Sequence, residues 1–263
     1  MTAEVDGGRT FQHMRLEEDG ALRVLFLDRP PLNVLDILML QEFASAVSDV
    51  GRDPNAAVLL ITGEGKAFCA GVDVADHAAD RVDQMIAVLH HALTGLMELD
   101  VPVIAALNGA ALGGGLELAL ACDVIIARED AKLGQPEIRL GVFPPFAAAV
   151  LPRLLGRARA LDLCLTGRTF TGRDGLGLGL VQHVYPEEGF FEAARTYAHQ
   201  LADLSPPVLR LTKRAMVEGL EVSLAEALRN ANRLYLDDLM RLDDAHEGLA
   251  AFTEKRPPVW KGA

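Results

Sequence analysis

The sequence predicts an α/β protein in which short buried strands alternate with amphipathic helices. The strand candidates Ala57–Thr62 and Val103–Leu107 are almost continuously apolar, which is typical of parallel strands covered on both faces. Between strand candidates, apolar residues recur at helical spacing, as over residues 82–96. Half of the 263 residues are hydrophobic, so the chain can bury a substantial core. Together these patterns favour an α/β fold.

The predicted elements follow in a regular order. Residues 10–28 indicate two strands joined at Asp19-Gly20, a common hairpin turn. The patterns then predict a helix from Leu35 to about Val50, a strand at Ala57–Thr62, a helix over 82–96, a strand at Val103–Leu107, a helix over Gly113–Ala121 and a strand at Val124–Ala127. After about Tyr185 only helices are predicted, over 187–204, from Ser205-Pro206-Pro207 onward, over 223–240 and over 243–254. We therefore expect a core over residues 1–204 that carries the functional site, and a helical region over residues 205–263 that forms a lid or an oligomer contact.

The composition limits the kinds of molecule that the protein is expected to bind. The net charge is −12, with 37 acidic and 25 basic residues, which argues against a nucleic-acid surface but leaves room for a small anion bound at helix N-termini. The apolar run Val101–Leu107 is too short to cross a membrane. Cys69, Cys122 and Cys164 form no CxxC pair, and no basic-then-apolar segment follows Met1. We therefore expect a cytoplasmic protein with reduced thiols and no membrane or nucleic-acid partner.

Two glutamates stand in settings where a charge is costly. Glu117 follows the glycine triplet Gly113–Gly115 at the start of an apolar helix, and Glu137 lies in a proline loop between apolar runs. Burying a charge is unfavourable unless the group is used, and two such carboxylates can share acid and base work. For Glu137, the alternative is a loop carboxylate exposed to water.

Two glycine-containing turns can present free backbone N–H groups. The segment Lys66–Asp73 follows a strand and contains Gly71, although it also fits an ordinary strand-to-helix turn. Gly113–Gly115 begin a helix whose first N–H groups point outward with the helix dipole behind them, an arrangement that can build an oxyanion hole. The alternative for these glycines is close packing between strand and helix. Neither turn matches a nucleotide-binding motif, since Ala67 follows Lys66 and Leu118 stands where a third glycine is required.

Other candidates are weaker. None of the four serines lies in a Gly-x-Ser-x-Gly motif, and the seven histidines contain no His-Glu-x-x-His motif. His90 and His91 are adjacent and therefore face different sides of a helix, so we expect no metal site. We interpret Cys69 as a small packed apolar residue.

In their order along the chain, these segments resemble the crotonase (enoyl-CoA hydratase/isomerase) superfamily. The other segments that carry the resemblance are Arg29-Pro30 with Asn33, Cys122-Asp123, Thr166-Gly167-Arg168, Gly179-Leu180-Val181 and Pro206–Met216. Each motif alone is weak, but the ordered set is specific and covers nearly the whole chain. The resemblance implies a spiral of ββα units, and trimers or hexamers (dimers of trimers) assembled through the C-terminal helices.

The resemblance also implies roles for individual residues. The ligand is an acyl-CoA thioester, with no cofactor beyond the coenzyme A of the substrate. Val72 and Gly114 match the two oxyanion-hole residues, Glu117 matches the residue that activates water, and Glu137 matches the residue that handles the α-carbon proton. The residues that match the substrate-binding segments are Lys66, Ala67, Phe68, Ala70, Gly71, Asp73, Val74 and Gly113. The residues that match the acyl pocket are Phe143, Pro144 and Phe146.

Hydration of a conjugated C=C bond is the reaction that the resemblance favours, because members that hydrate keep both glutamates. Isomerisation and non-catalytic binding of acyl-CoA or a protein are the alternatives. One departure concerns the acyl group: Pro144–Val150 replaces a glycine-rich stretch that many hydratases have. With Pro30–Asp36, Ala70–Val74 and Val142–Pro145, this stretch looks like the cyclohexa-1,5-diene-carbonyl-CoA hydratases, and a general enoyl-CoA hydratase is the main rival.

Overall fold

The computed structural model describes residues 11–263. The first ten residues, which include the N-terminal segment considered for targeting and the start of the first predicted strand, lie outside the described residues. Within the described part, no helix combines the length and apolar character needed to cross a bilayer.

Two β-sheets form the body of the molecule. Strands are numbered along the chain, and the larger sheet has the order β1-β2-β3-β5-β7-β10. Its strands are β1 (Met14–Asp19), β2 (Leu22–Leu27), β3 (Val58–Gly63), β5 (Val103–Leu107), β7 (Val124–Arg128) and β10 (His183–Tyr185). The smaller sheet, of order β4-β6-β8-β9, contains β4 (Ala67–Cys69), β6 (Ala110–Leu112), β8 (Lys132–Gly134) and β9 (Thr169–Thr171). Pairing is parallel except for β1 with β2 and β8 with β9.

Helices cover the sheets and complete the chain. They are α1 (Ile37–Arg52), α2 (Val82–Met97), α3 (Gly114–Leu120), α4 (Pro145–Leu155), α5 (Arg157–Thr166), α6 (Gly172–Leu178), α7 (Phe190–Ala202), α8 (Pro206–Val217), α9 (Leu224–Arg233) and α10 (Asp243–Glu254). Short 3₁₀ turns lie at Val74–His77, Glu137–Leu140 and Leu239–Arg241.

The chain winds as a spiral. It passes repeatedly from a strand of the large sheet to a strand of the small sheet and then to a helix, as in β3-β4-α2, β5-β6-α3 and β7-β8-α4. The apolar strands and long helices predicted from periodicity are confirmed. The small sheet was not predicted, because strands of three residues are too short to show a period of two.

The C-terminal helices differ in one respect from the prediction. A single helical stripe was expected over residues 223–240, but the α-helix ends at Arg233 and a π-helical turn, Leu234–Asp238, follows. In this segment Leu234 is buried, whereas Leu224, Leu228 and Tyr235 are exposed. The apolar stripe therefore exists, but most of it faces away from the described core.

Helix α8 is tied to the body by one ion pair. Lys213 Nζ lies 2.6 Å from Asp123 Oδ2 and donates to the Val101 carbonyl. The same Asp123 oxygen accepts the Val103 N–H at 2.7 Å. The start of the C-terminal region is thus anchored beside the first residue of β5.

Candidate active site

Three parallel strands of the small sheet end at one edge, and the predicted functional segments follow directly from them. The segment after β4 contains Val72, the one after β6 contains Gly113 and Gly114, and the one after β8 contains Glu137. Because β4, β6 and β8 are neighbours in the sheet, residues distant in sequence meet at their carboxyl ends. The fold therefore explains why the three motifs occur in this order.

The direction of the Val72 N–H is set by the hydrogen bonds that its two neighbours form with Leu35. Gly71 O accepts the Leu35 N–H, and the Asp73 N–H donates to Leu35 O, both at 2.8 Å. Consecutive amides in an extended segment point to opposite sides, so the Val72 N–H points away from Leu35. It meets no protein acceptor within residues 11–263.

Gly114 faces Val72 and Gly113 faces Glu137, and both positions require glycine. A Cβ on Gly114 would lie 2.5 Å from Val72 Cγ2 and 3.5 Å from Val72 N. Gly113 has a φ of +53°, and a Cβ there would lie 2.6 Å from Glu137 Oε1. The helix α3 therefore brings its first N–H, that of Gly114, close to the N–H of Val72. Among the described residues, the Gly114 N–H also lacks a protein acceptor.

Gly115 serves a different purpose from its two neighbours. A Cβ on Gly115 would lie 2.1 Å from the carbonyl oxygen of Cys69, so this residue permits α3 to pack tightly on β4. The triplet thus combines the two hypotheses made from the sequence: Gly115 serves strand–helix packing, and Gly113 and Gly114 face the site.

Glu117 is buried in the core beside the site. Its side chain is 2% exposed, and its Oε1 accepts the Ala147 N–H at 2.8 Å. Ala147 lies in the first turn of α4, where backbone N–H groups have no partner within the helix. The carboxylate of α3 therefore caps α4, and this cap fixes its Oε1.

Glu137 is half-buried at the start of a 3₁₀ turn, so it is not the water-exposed loop carboxylate considered as an alternative. Behind it lies Gln135, whose side chain is 1% exposed. With its amide nitrogen turned toward Glu137, Gln135 donates to Oε1 at 3.0 Å and to Oε2 at 3.2 Å, and also reaches Gly113 O at 3.3 Å. Gln135 was not predicted as a site residue, and no sequence motif distinguishes it from an ordinary loop amide.

Both glutamates are more basic than usual. The pKa of Glu117 is raised to about 7, chiefly by burial and also by the charge of Glu137, while the N–H groups of Ala147 and Phe146 lower it. Burial also raises the pKa of Glu137. Because the two groups interact, they titrate as a pair. Glu137 keeps more contact with water, so the last proton of the pair lies mainly on Glu117.

The two carboxylates and both free N–H groups line one cavity of about 230 Å³. Ten of the predicted site residues contribute to its wall: Ala70, Gly71, Val72, Val74, Gly113, Gly114, Glu117, Glu137, Phe143 and Pro144. Larger depressions, of about 400 and 540 Å³, lie against α1 and α2 and contain neither glutamate. The cavity with the pair is therefore the candidate active site.

Five predicted residues lie outside this cavity wall. Ala67 and Phe68 are buried in β4, Phe146 packs partly against the core, and Lys66 is exposed at the surface. Asp73 accepts the Ala75 N–H at 3.0 Å and so caps the turn that follows it. Their contacts with a ligand stay predictions.

Helix α2 supplies a wall that the sequence did not assign to the site. The members of this wall are Val82, Met85, Ile86 and Leu89, and His77 precedes them. Their helical spacing predicted a buried face, and the structure shows that part of this face lines the cavity instead. Leu140 and Val142 were likewise missed, and they surround the mouth with Phe143.

Metal ligands and reactive thiols are not features of this site. The described residues contain no cluster of three or more histidine, cysteine or acidic side chains placed to hold a metal ion. Burial raises the pKa of Cys69 to about 12, so its thiol stays protonated and inert at neutral pH. This agrees with the interpretation of Cys69 as a packed apolar residue.

The spiral of ββα units and the C-terminal helices place this chain in a class of α/β proteins of known structure. Residues 17–263 match the family model described as enoyl-CoA hydratase/isomerase, and the chain belongs to that family. A probable enoyl-CoA hydratase of Mycobacterium bovis is 38% identical over 252 residues, covering 95% of this chain and 98% of that protein. The cyclohexa-1,5-dienecarbonyl-CoA hydratase of Thauera aromatica is 39% identical over 246 residues, with 94% and 95% covered. The crystal structure of an enoyl-CoA hydratase from Bacillus anthracis superimposes with a TM-score of 0.92 at 35% identity, covering 96% of this chain and all of that one.

Proposed function

We propose that this protein is a hydro-lyase that adds water across the conjugated C=C bond of an enoyl- or dienoyl-CoA thioester. The observation that carries the proposal is that two N–H groups, of Val72 and Gly114, which have no acceptor within residues 11–263, meet two carboxylates of raised pKa in one cavity. Two converging N–H donors fit the thioester oxygen, which gains negative charge as water adds. Two carboxylates then supply the base and the acid of the addition.

The reaction proceeds by balanced proton and electron movements. Glu117 takes a proton from water while the water oxygen forms a bond to the β-carbon. The C=C electrons move toward the thioester, and the enolate oxygen accepts hydrogen bonds from Val72 and Gly114. Glu137 then gives a proton to the α-carbon, so one water is consumed and the pair retains one proton throughout.

The resting position of that proton follows from burial. With the last proton mainly on Glu117, the empty site is ready for the reverse reaction: ionised Glu137 removes the α-proton and protonated Glu117 releases water. Hydration starts from the opposite arrangement, with Glu137 protonated. The proton therefore moves within the pair before water is added.

The lining of the cavity favours an apolar acyl group, because Met85, Leu89 and Phe143 lie in its wall. A seven-carbon cyclic dienoyl group and a short linear enoyl group are both candidates. The similarity to the Thauera hydratase supports the cyclic dienoyl candidate, with short enoyl-CoA as its rival.

The coenzyme A portion is proposed to follow the surface near Lys66. Lys66 is exposed and forms no ion pair within the described residues. Its ammonium is a mobile point charge suited to phosphate. Ala70 and Gly71 line the cavity between this surface and Val72, which suits the course of the pantetheine arm.

Assembly into trimers or hexamers is a separate part of the proposal. The exposed apolar side chains of α9 and the turn after it, Leu224, Leu228, Tyr235 and Leu236, support an interface between copies. Light scattering at micromolar concentration tests it, and a monomeric mass would contradict it. A cytoplasmic location is also proposed, consistent with three cysteines that form no disulfide.

Turnover of a panel of acyl-CoA thioesters tests the activity. The panel includes crotonyl-CoA, longer linear enoyl-CoA esters and cyclohexa-1,5-diene-carbonyl-CoA, each assayed with the wild type, Glu117→Gln and Glu137→Gln. We expect hydration by the wild type and a loss of about 10²–10⁴-fold in either variant. Unchanged turnover in both variants would refute the mechanism. A product with a shifted double bond and no added water would favour isomerisation, and binding without turnover would favour a non-catalytic member.

A further inference from the structure

Arg29 contacts both sides of the short backbone bridge that orients Val72. Its Nη1 donates to the Val34 carbonyl at 2.8 Å, and its Nη2 lies 2.9 Å from Asp36 Oδ2 and 3.6 Å from Asp73 Oδ2. Val34 and Asp36 flank Leu35, and Asp73 follows Val72. One guanidinium therefore joins the two segments that form the Leu35–Val72 bridge.

Each carboxylate that pairs with Arg29 also accepts a hydrogen bond from a backbone N–H group. Asp36 Oδ1 accepts the Met39 N–H at 2.8 Å and caps α1. Asp73 Oδ1 accepts the Ala75 N–H and caps the 3₁₀ turn after the bridge. With one oxygen of each carboxylate engaged in a cap, the other is presented to Arg29 in a defined position. The guanidinium thus fixes α1 and the turn relative to each other.

The position of Arg29 differs from that of an ordinary surface ion pair. Isolated surface pairs contribute little because both side chains are mobile and hydrated. Here the side chain is 27% exposed, and its backbone is also fixed, since Arg29 N donates to Asn33 Oδ1 at 2.9 Å. Asn33 is itself buried and donates to the carbonyls of Ala67 and Phe68 in β4. The cluster therefore connects to the strand that leads into Val72.

We propose that Arg29 is a positioning residue for the oxyanion hole: it holds the Val72 N–H in line with the Gly114 N–H without touching the substrate. This inference rests on the proposed function, because it assumes that Val72 and Gly114 polarise a thioester carbonyl. The planar guanidinium combines one hydrogen bond, to Val34 O, with ion pairs to Asp36 and Asp73, whereas a lysine ammonium is a point charge on a flexible chain. The geometry at Val72 is therefore expected to require arginine.

Steady-state kinetics of Arg29→Met and Arg29→Lys give the first readout. Both variants are expected to lose at least about tenfold in kcat, a part of the ~10²–10³-fold effect of removing one oxyanion donor, with KM changed less than threefold. Arg173→Met is the matched control, because Arg173, which lies on α6, forms an exposed ion pair with Glu129. Its kcat is expected to stay within twofold of the wild type.

Carbonyl polarisation gives a second readout that a purely structural role would not change. In a Glu117→Gln background, which holds substrate without rapid turnover, the absorption of bound hexa-2,4-dienoyl-CoA shifts to longer wavelength as its carbonyl is polarised. We expect this shift to shrink when Arg29→Lys or Arg29→Met is added and to persist with Arg173→Met.

The outcomes separate this inference from the proposed function. A full spectral shift and kcat within twofold in both Arg29 variants would overturn the positioning role, even if their melting temperatures fall. If Arg29→Met does not fold, Arg29→Lys decides the question by the same two readouts. An absent shift in the variant that retains Arg29 would instead contradict the oxyanion hole itself.

Discussion

Replacing Glu117 by glutamine is expected to stabilise the protein at alkaline pH while it abolishes activity. Residue Glu117 is 2% exposed, and the pKa of its carboxyl is raised from 4.5 to about 7 chiefly by burial. Glutamine has nearly the same shape, carries no charge and keeps an oxygen that can accept the Ala147 N–H. The substitution therefore removes the cost of ionising this buried group with little change in packing.

The magnitude follows from the pKa difference. At ~1.36 kcal/mol for each pH unit, a rise from 4.5 to about 7 amounts to about 3 kcal/mol. For a group whose pKa is raised on folding, the unfolded chain loses its proton first, so folding stability falls as the pH rises from 4.5 to 7 and stays reduced above it. Relative to the wild type, Glu117→Gln should gain almost nothing below pH 4.5 and about 3 kcal/mol at pH 8.

Urea denaturation at several pH values between 4.5 and 8 measures this difference, at one protein concentration because assembly also affects stability. Glu188→Gln is the control, since Glu188 is an exposed carboxylate outside the cavity. We expect its difference from the wild type to stay small and flat. A Glu117→Gln difference that does not depend on pH would show that Glu117 is not held against ionisation, and would refute the assignment of the shared proton.

Three further predictions follow from the same geometry. The pH profile of kcat/KM should be bell-shaped. It should fall above about pH 7 as Glu117 loses the last proton, and its acid side should lie at a higher pH than for an ordinary glutamate, because the pKa of Glu137 is also raised. A flat profile from pH 5 to 9 would contradict this. Gly114→Ala should lower kcat by about 10²–10³-fold, because its Cβ would displace Val72. The control Gly177→Ala should retain activity, because a Cβ there meets nothing within 4 Å. Equal kinetics of the two variants would count against the oxyanion hole. Leu89→Ala should enlarge the cavity and shift the substrate preference toward longer enoyl-CoA chains. It should also lower the free energy of unfolding by about 2–5 kcal/mol. An unchanged chain-length profile in the substrate panel would exclude Leu89 from the acyl wall.

The sequence predicted the structure best where an apolar pattern extends over many residues, or where only one residue type fits a position. Helix α1 and strand β3 have clear periods, and Gly113 and Gly114 are glycine because a Cβ there would strike Glu137 or Val72. The prediction that Glu117 lies on a helix after glycine is confirmed. The periodic patterns and the helix start are local and can be read from neighbouring residues, whereas the contacts that require Gly113 and Gly114 are known only from the structure.

The features that sequence reasoning missed arise from tertiary structure. Strand β8 has three residues and shows no periodicity, yet it places Glu137 beside Gly113. The α2 face that includes Met85 was predicted as core, because an apolar wall of a cavity and an apolar core have the same pattern. Gln135 and Arg29 act through contacts with other segments, and a single polar residue in a loop gives no sign of its partners.

The isotopic composition of the product shows directly whether this pair of glutamates adds water to a C=C bond. Crotonyl-CoA and cyclohexa-1,5-diene-carbonyl-CoA are incubated with the protein in ¹⁸O-labelled water and, separately, in deuterated water. For at least one substrate, we expect one solvent oxygen at the carbon that water attacks and one deuterium at the carbon that receives the proton. Both incorporations should be strongly slowed in Glu117→Gln and Glu137→Gln. Deuterium exchange or double-bond migration without oxygen incorporation, or incorporation that persists at the wild-type rate in both variants, would contradict hydration by this pair of glutamates.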